Sequence, residues 1–135
     1  MAITNTILAM ANVGGYQRPV MAFTTAAYTT VNAYADVAGS DLDALLLDTL
    51  GITIQNAGNA NGITYQVVAA NLPDFSDAVI ATNPAGTAGA GNIAFGAIGS
   101  FSTYFLPFRY YKVQAKAQTA GNQSTVVVNT LGTPA

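Results

Sequence analysis

Chemistry in this chain would have to come from a short inventory: six aspartates, Arg18, Arg109, Lys112, Lys116 and five serines. Histidine, cysteine, glutamate and tryptophan do not occur. Their absence removes together the common general bases, the usual zinc ligands, thiolate sites, disulfides and the paired-glutamate arrangement of glycosidases. Ser40, Ser76, Ser100, Ser102 and Ser124 have no histidine to activate them, and no Ser-x-x-Lys spacing occurs. Asp74 and Asp77 are formally a pair, but nothing sets them in a shared apolar cleft, and they read as loop acids. Asp36, Asp41, Asp43 and Asp48 raise the thought of calcium. The glycine and terminal glutamate of the oxygen-ligand loop are missing, so capping and a solvated loop are the reading. The glycines of 83–91 lack a following Gly-Lys-Ser or Gly-Lys-Thr and form no phosphate cradle. The expectation is a chain that is not an enzyme, with no catalytic, cofactor-binding or metal residues and no cofactor.

Three of the four basic residues collect in Phe108-Arg109-Tyr110-Tyr111-Lys112-Val113-Gln114-Ala115-Lys116-Ala117. Its period-two alternation predicts a strand with Tyr111, Val113, Ala115 and Ala117 inward and Tyr110, Lys112, Gln114 and Lys116 outward. The turn-rich 119–123 then leads to the β-branched run Ser124–Thr130, expected to return as its hairpin partner. Arg109, Tyr110, Lys112 and Lys116 are the candidate partner contacts, as a small patch facing an acidic neighbour. Four basic residues in a chain of net charge −2 supply no field for nucleic acid.

The elements that must position this segment follow from the rest of the chain. At 135 residues it is the size of one domain with an adequate core. Charged residues are only 7% of it, against about 25% in ordinary soluble domains. Such a surface generates little self-repulsion, which favours a subunit covered in an assembly. No lysine or arginine precedes the apolar part of the N-terminus, so a secretory signal is not expected, and no apolar run is long enough for a membrane span. Residues 1–26, interrupted by Gly14-Gly15 and Pro19, read as an extended arm or edge strand that lies on its own sandwich or reaches a neighbour. Residues 27–135 read as the β-sandwich domain.

Within it, Ala27–Asp36 alternates as a strand. Asp41–Leu50 is the one place where a helix competes, with Leu42, Leu45, Leu46 and Leu50 near helical spacing. Gly51–Asn56 and Ile63–Val68 are strands joined by an Asn- and Gly-rich linker read as a hairpin turn, with Ile52, Ile54, Ile63, Tyr65 and Val67 on one core face. Ala78–Thr82, Ile93–Ile98 and Phe101–Phe105 complete the set, the last two separated by Gly99-Ser100. About eight short strands without helices between them predict an all-β fold, an antiparallel β-sandwich of jelly-roll or immunoglobulin-like type.

The run Ile52-Thr53-Ile54-Gln55-Asn56 through Asn61-Gly62-Ile63-Thr64-Tyr65-Gln66-Val67, followed by Phe108–Lys116, resembles small β-sandwich virion proteins of tailed bacteriophages, of the decoration or auxiliary type. The resemblance covers about residues 50–130 and leaves the arm and Asp41–Leu50 unmatched. It implies a non-enzymatic capsid decoration (cement) protein on the outer surface of the virion. It also implies homo-oligomers, with the major capsid protein or another virion protein as partner and neither nucleic acid nor membrane involved. Two other classes fit the residues: a self-polymerising extracellular filament or sheath subunit that donates 2–26 as a strand, and a carbohydrate-binding adhesive module using exposed tyrosines such as Tyr104 and Tyr110.

Overall fold

The computed structural model describes residues 3, 5, 9–13 and 15–133, with the backbone alone for 9–13 and 16–19. The remainder of the expected 1–26 arm lies outside the described residues. Among the described residues there are twelve strands and no helix: β1 (Ala9–Val13), β2 (Tyr16–Thr24), β3 (Tyr28–Thr29), β4 (Ala35–Asp36), β5 (Leu42–Asp43) and β6 (Thr49–Asn56) are followed by β7 (Ile63–Ala70), β8 (Val79–Ile80), β9 (Ala90–Ile93), β10 (Ile98–Thr103), β11 (Tyr110–Ala117) and β12 (Thr125–Thr133). They form two antiparallel sheets, one running β1-β2-β12-β6-β10 with β3 also on β12, the other β4-β11-β7-β8 with β5 on β11 and β9 on β7. The all-β antiparallel sandwich expected from the alternation is the observed class.

The inward face of each long strand follows the pleat. Ile52, Ile54, Val126, Val128 and Phe101 from one sheet meet Ile63, Tyr65, Val67, Tyr111, Val113 and Ala115 from the other in a single buried cluster. Burying a side chain of this size is worth about 1.5–3 kcal/mol, so this layer carries the fold. Met21 of β2 belongs to the same cluster. β2 is therefore docked on its own sandwich, with Phe23 opposite Thr130 and Ala22 opposite Leu131 of β12. Asn5 is tied to the second sheet, its Nδ2 donating to the carbonyls of Gly39 at 2.7 Å and Asp41 at 2.9 Å.

The partners of the strands depart from the expected hairpins. β11 pairs along its whole length with β7 (Tyr111 opposite Ala69, Ala115 opposite Tyr65), while β12 lies in the other sheet against β6 (Val128 opposite Ile54). β6 and β7 are likewise in different sheets, so 57–62 is a crossover between layers and not a hairpin turn. Asn56 explains why this linker crosses. Its fully buried amide donates to the carbonyls of Asn61 (2.8 Å) and Ile93 (3.1 Å), and its Oδ1 accepts from the Gly58 N–H (3.1 Å) and the Ser124 hydroxyl (2.6 Å).

Three further expectations are corrected. Ala27–Asp36 is not one strand: β3 sits on β12 and β4 on β11, with a bend at Asn32-Ala33 where the chain changes sheets. Asp41–Leu50 contains no helix, because Leu42, Leu47 and Leu50 are buried while Leu45 and Leu46 are exposed, a split that the strands β5 and β6 and the turn between them satisfy. The expected break at Gly99-Ser100 lies inside β10. The turn falls earlier, at Gly96, whose φ of 74° is the left-handed conformation that glycine adopts readily.

Replacing Asn56 with alanine strands a buried and a part-buried carbonyl, a buried hydroxyl and a backbone N–H, so we expect a loss of about 3 kcal/mol in urea unfolding. Ile54→Val, which deletes one methylene in the same strand, should cost only about 1 kcal/mol. Burial pushes the Tyr111 phenol up to about 12, opposed in part by a backbone hydrogen bond from Phe108. The unfolded chain then ionises first, so this contribution to stability is intact below pH 10 and is lost as the pH rises towards 12. Urea midpoints measured from pH 9 to 11.5 should fall less steeply for Tyr111→Phe than for the parent.

Candidate interaction surface

β11 and the Arg109 that precedes it hold the four residues expected to contact a partner, and the fold uses each of them internally. Its buried positions include Tyr111, Val113, Ala115 and Ala117, as the alternation requires. Tyr110 and Lys112 take the outer face, outside the core cluster, as expected, but they are buried there and not exposed. The loop 71–77 folds over them: the Lys112 Nζ lies 4.3 Å from the centre of the Phe75 ring, and Phe75 and Tyr110 rings are 6.4 Å apart. Phe75 reaches this position with φ of 57°, outside the usual range for a bulky residue. Asp77 holds the loop by accepting from the N–H groups of Asn71 and Leu72, and the Ser76 N–H and hydroxyl keep the Asp74 carboxyl below its ordinary range.

The charges pair across neighbouring strands. Lys112 donates to Asp36 of β4 at 2.9 Å, and Gln114 donates to the same carboxylate at 2.9 Å. Arg109 grips Asp43 of β5 through Nε and Nη2, the shorter contact being 2.9 Å, and its guanidinium lies 5.1 Å from the Tyr110 ring centre. That pairing raises the Arg109 pKa. The Lys116 Nζ lies 4.7 Å from the Tyr34 ring. These cations therefore clamp the short strands β4 and β5 and the 28–36 segment onto β11. Two of the aspartates that suggested calcium, Asp36 and Asp43, are the partners in this clamp.

Large apolar side chains are exposed beside the second sheet at Leu45, Leu46, Val79 and Ile80, and a further uncharged surface lies on the other sheet. From residue 78 to 108 there is no charged residue. This run carries Phe95, Ile98, Tyr104 and Phe105, exposed at 55%, 63%, 74% and 61%. On the outer face of the sheet, Ala22, Leu131, Gly51 and Ser102 form one row across β2, β12, β6 and β10. Gly51 has no side chain between Leu131 and Ser102, and a shallow groove of about 520 Å³ passes over it, bordered by Phe23, Thr53 and Ser100. A second depression of about 410 Å³ shares Gly51, Leu131 and Ser102 and runs on to Tyr104 and Asn83. Tyr104 is thus the exposed tyrosine of the pair considered for sugar stacking, and Tyr110 is not.

β10 ends the strand path of its sheet. Asn56 exchanges backbone bonds with the Gly96–Ala97 turn, its N–H donating to Ala97 and its carbonyl accepting from Gly96, so the even positions of β6 face β10. Gly99, Phe101 and Thr103 therefore bond β6, and Ile98, Ser100 and Ser102 turn their backbone groups away from the sheet. Asn83 Nδ2 donates to the Ser102 carbonyl at 3.3 Å. Among the described residues the outward N–H and carbonyl of Ile98 and Ser100 have no partner. The signal for this surface was present in the sequence as a charge-free run without the lysines that commonly guard an edge.

The clamp on β11 makes a clear expectation. Asp36→Ala leaves a buried ammonium facing only a ring and should cost about 1–2 kcal/mol, Asp36 itself being part-exposed. Lys112→Met removes the charge together with its need for a partner and should cost less; thermal unfolding of the two variants checks the order.

No family model matches the chain, and no curated protein matches it. Among solved structures it is similar to Bacillus endospore appendages, described as a family of disulfide-linked pili, at 16% identity and a TM-score of 0.46, over 93% of this chain and 95% of that one. It is also similar to the SPBc2 prophage-derived protein YomS, at 9% identity and a TM-score of 0.48, over 84% of this chain and 95% of that one.

Proposed function

We propose that this chain is a structural subunit of a multi-copy protein assembly, and specifically a capsid decoration protein that seats on a virion shell and stabilises it. The observation that carries the reading is the uncharged outer surface around β10, where four large apolar side chains stand exposed beside backbone groups that have no partner among the described residues. Large exposed apolar groups gathered in one region mark a surface meant to be covered. The segment with the densest charge supports the same reading by contrast, since its cations are spent on Asp36, Asp43 and three aromatic rings. Attachment would then rest on shape, apolar burial and backbone pairing, with little dependence on salt.

A second reading, a self-polymerising filament or sheath subunit, draws on one specific feature: β1 and β10 are the two terminal strands of the same sheet path. A head-to-tail contact between unlike edges builds an open chain wherever its rotation does not close a ring.

The test uses purified full-length chain and shells prepared with and without it. Decoration predicts saturable binding to bare shells that persists at high salt, and a higher temperature of shell rupture once bound. Fibres from the chain alone, visible by negative stain, would favour the filament. A monomer that neither binds shells nor changes their rupture temperature would end the decoration reading.

A further inference from the structure

Resting on the assembly reading, we infer that β10 is a self-pairing edge: two copies join antiparallel through Ile98 and Ser100 about a two-fold axis at Gly99, making one continuous sheet through both subunits.

The hydrogen-bonding pattern fixes the register. Each copy offers four outward groups without a partner among the described residues, the N–H and carbonyl of Ile98 and of Ser100. Placing Ile98 opposite Ser100 of the second copy lets all of them bond reciprocally, the arrangement of a hydrogen-bonded antiparallel pair. Shifting the axis to Ser100 would set Ile98 against Ser102, whose carbonyl already accepts from Asn83. The axis at Gly99 leaves that bond intact. An antiparallel contact of one strand with itself is isologous, the symmetry of the commonest oligomers.

Three further features suit a second copy of this chain. No charge lies between 78 and 108, so two copies approach without like-charge repulsion along this edge. Gly99 is a position where any Cβ would meet the Ile93 Cδ1 at 2.7 Å, so the space beneath the axis is filled from within and the strand stays flat against its own core. Ile98, with 63% of its surface exposed, stands on the outer face beside the axis, where the second copy would bring its Ser100 alongside and cover it.

The experiment is sedimentation velocity on the full chain and on three variants, each checked for a parental circular dichroism spectrum. The parent is expected to sediment as a dimer at tens of micromolar. Ile98→Lys places two ammonium groups about 8 Å apart across the axis and should weaken the dimer at least tenfold. Ser100→Pro removes an outward N–H that β6 does not use and should do the same. Leu131→Lys, on the outer face away from the edge, should leave dimerisation within twofold. The register is read separately. The chain has no cysteine, so Ile98→Cys and Ser100→Cys proteins, mixed and treated with a short thiol cross-linker, should yield heterodimers and few homodimers. Strong cross-linking of Ser100→Cys to itself would overturn the register. A dimer broken by Leu131→Lys and untouched by Ile98→Lys would overturn the edge contact. A chain that stays monomeric yet still binds shells would overturn self-pairing while leaving the decoration reading in place, and a dimer that ignores shells would do the reverse.

Discussion

The sandwich depends on one buried amide. Asn56 closes β6, and its side chain makes four hydrogen bonds in a place with no solvent to substitute for them. Those bonds reach the crossover, β9 and the residue before β12, so a single group sets the spacing of two sheets at one end. A buried amide is costly unless every partner is present. That cost makes the arrangement specific: a shifted register of β6 would leave the amide and its partners unpaired together.

Smaller polar groups repeat the device wherever a long strand is faced by two short ones. Ser40 bridges the gap between β4 and β5 by donating to the Val113 carbonyl and accepting from the Val113 N–H. Thr25 serves Val128 between β2 and β3, its backbone N–H donating to the Val128 carbonyl and its hydroxyl accepting from the Val128 N–H. Thr30 and Ser124 exchange bonds at the start of β12. On β7, the Val67 N–H donates to Gly89 and its carbonyl accepts from Ala81, joining the lines of β8 and β9. Ladders that would otherwise be broken are thereby completed by the buried hydroxyls and by backbone at the junctions, which is how the chain builds long sheets from short strands.

Much of this was legible in the sequence, and the boundary has a physical cause. Alternation reports which face a side chain takes, so Ile52, Ile63, Val67, Val113 and Ala115 were placed inward correctly. It carries no information about which strand lies alongside, so β11 and β12 were read as a hairpin when each pairs elsewhere. The Asn-Gly signal at 61–62 marks a reversal equally well within a sheet or between sheets, and only the buried Asn56 distinguishes the two. Gly99-Ser100 looked like punctuation because glycine usually is; here the missing Cβ is space taken by Ile93 and Tyr65. The basic segment was legible as a strand and not as a clamp, since Asp36 and Asp43 approach it from far away in sequence.

The same economy bears on the edge that β10 leaves open among the described residues. Very short strands, side-chain bonds and charge are the ordinary protections of a sheet edge. The second sheet ends in the two-residue strands β4, β5 and β8 and in β9, while the clamp sets Lys112 and Arg109 on β4 and β5. β10 carries none of these along its centre. Its exposure is nonetheless bounded, by the Gly96 turn before Ile98 and by the Asn83 bond at Ser102. An edge with only two residues free can template one partner strand and little more. Under the self-pairing inferred above, that limit holds the contact to a single partner strand, and no charge is needed to enforce it.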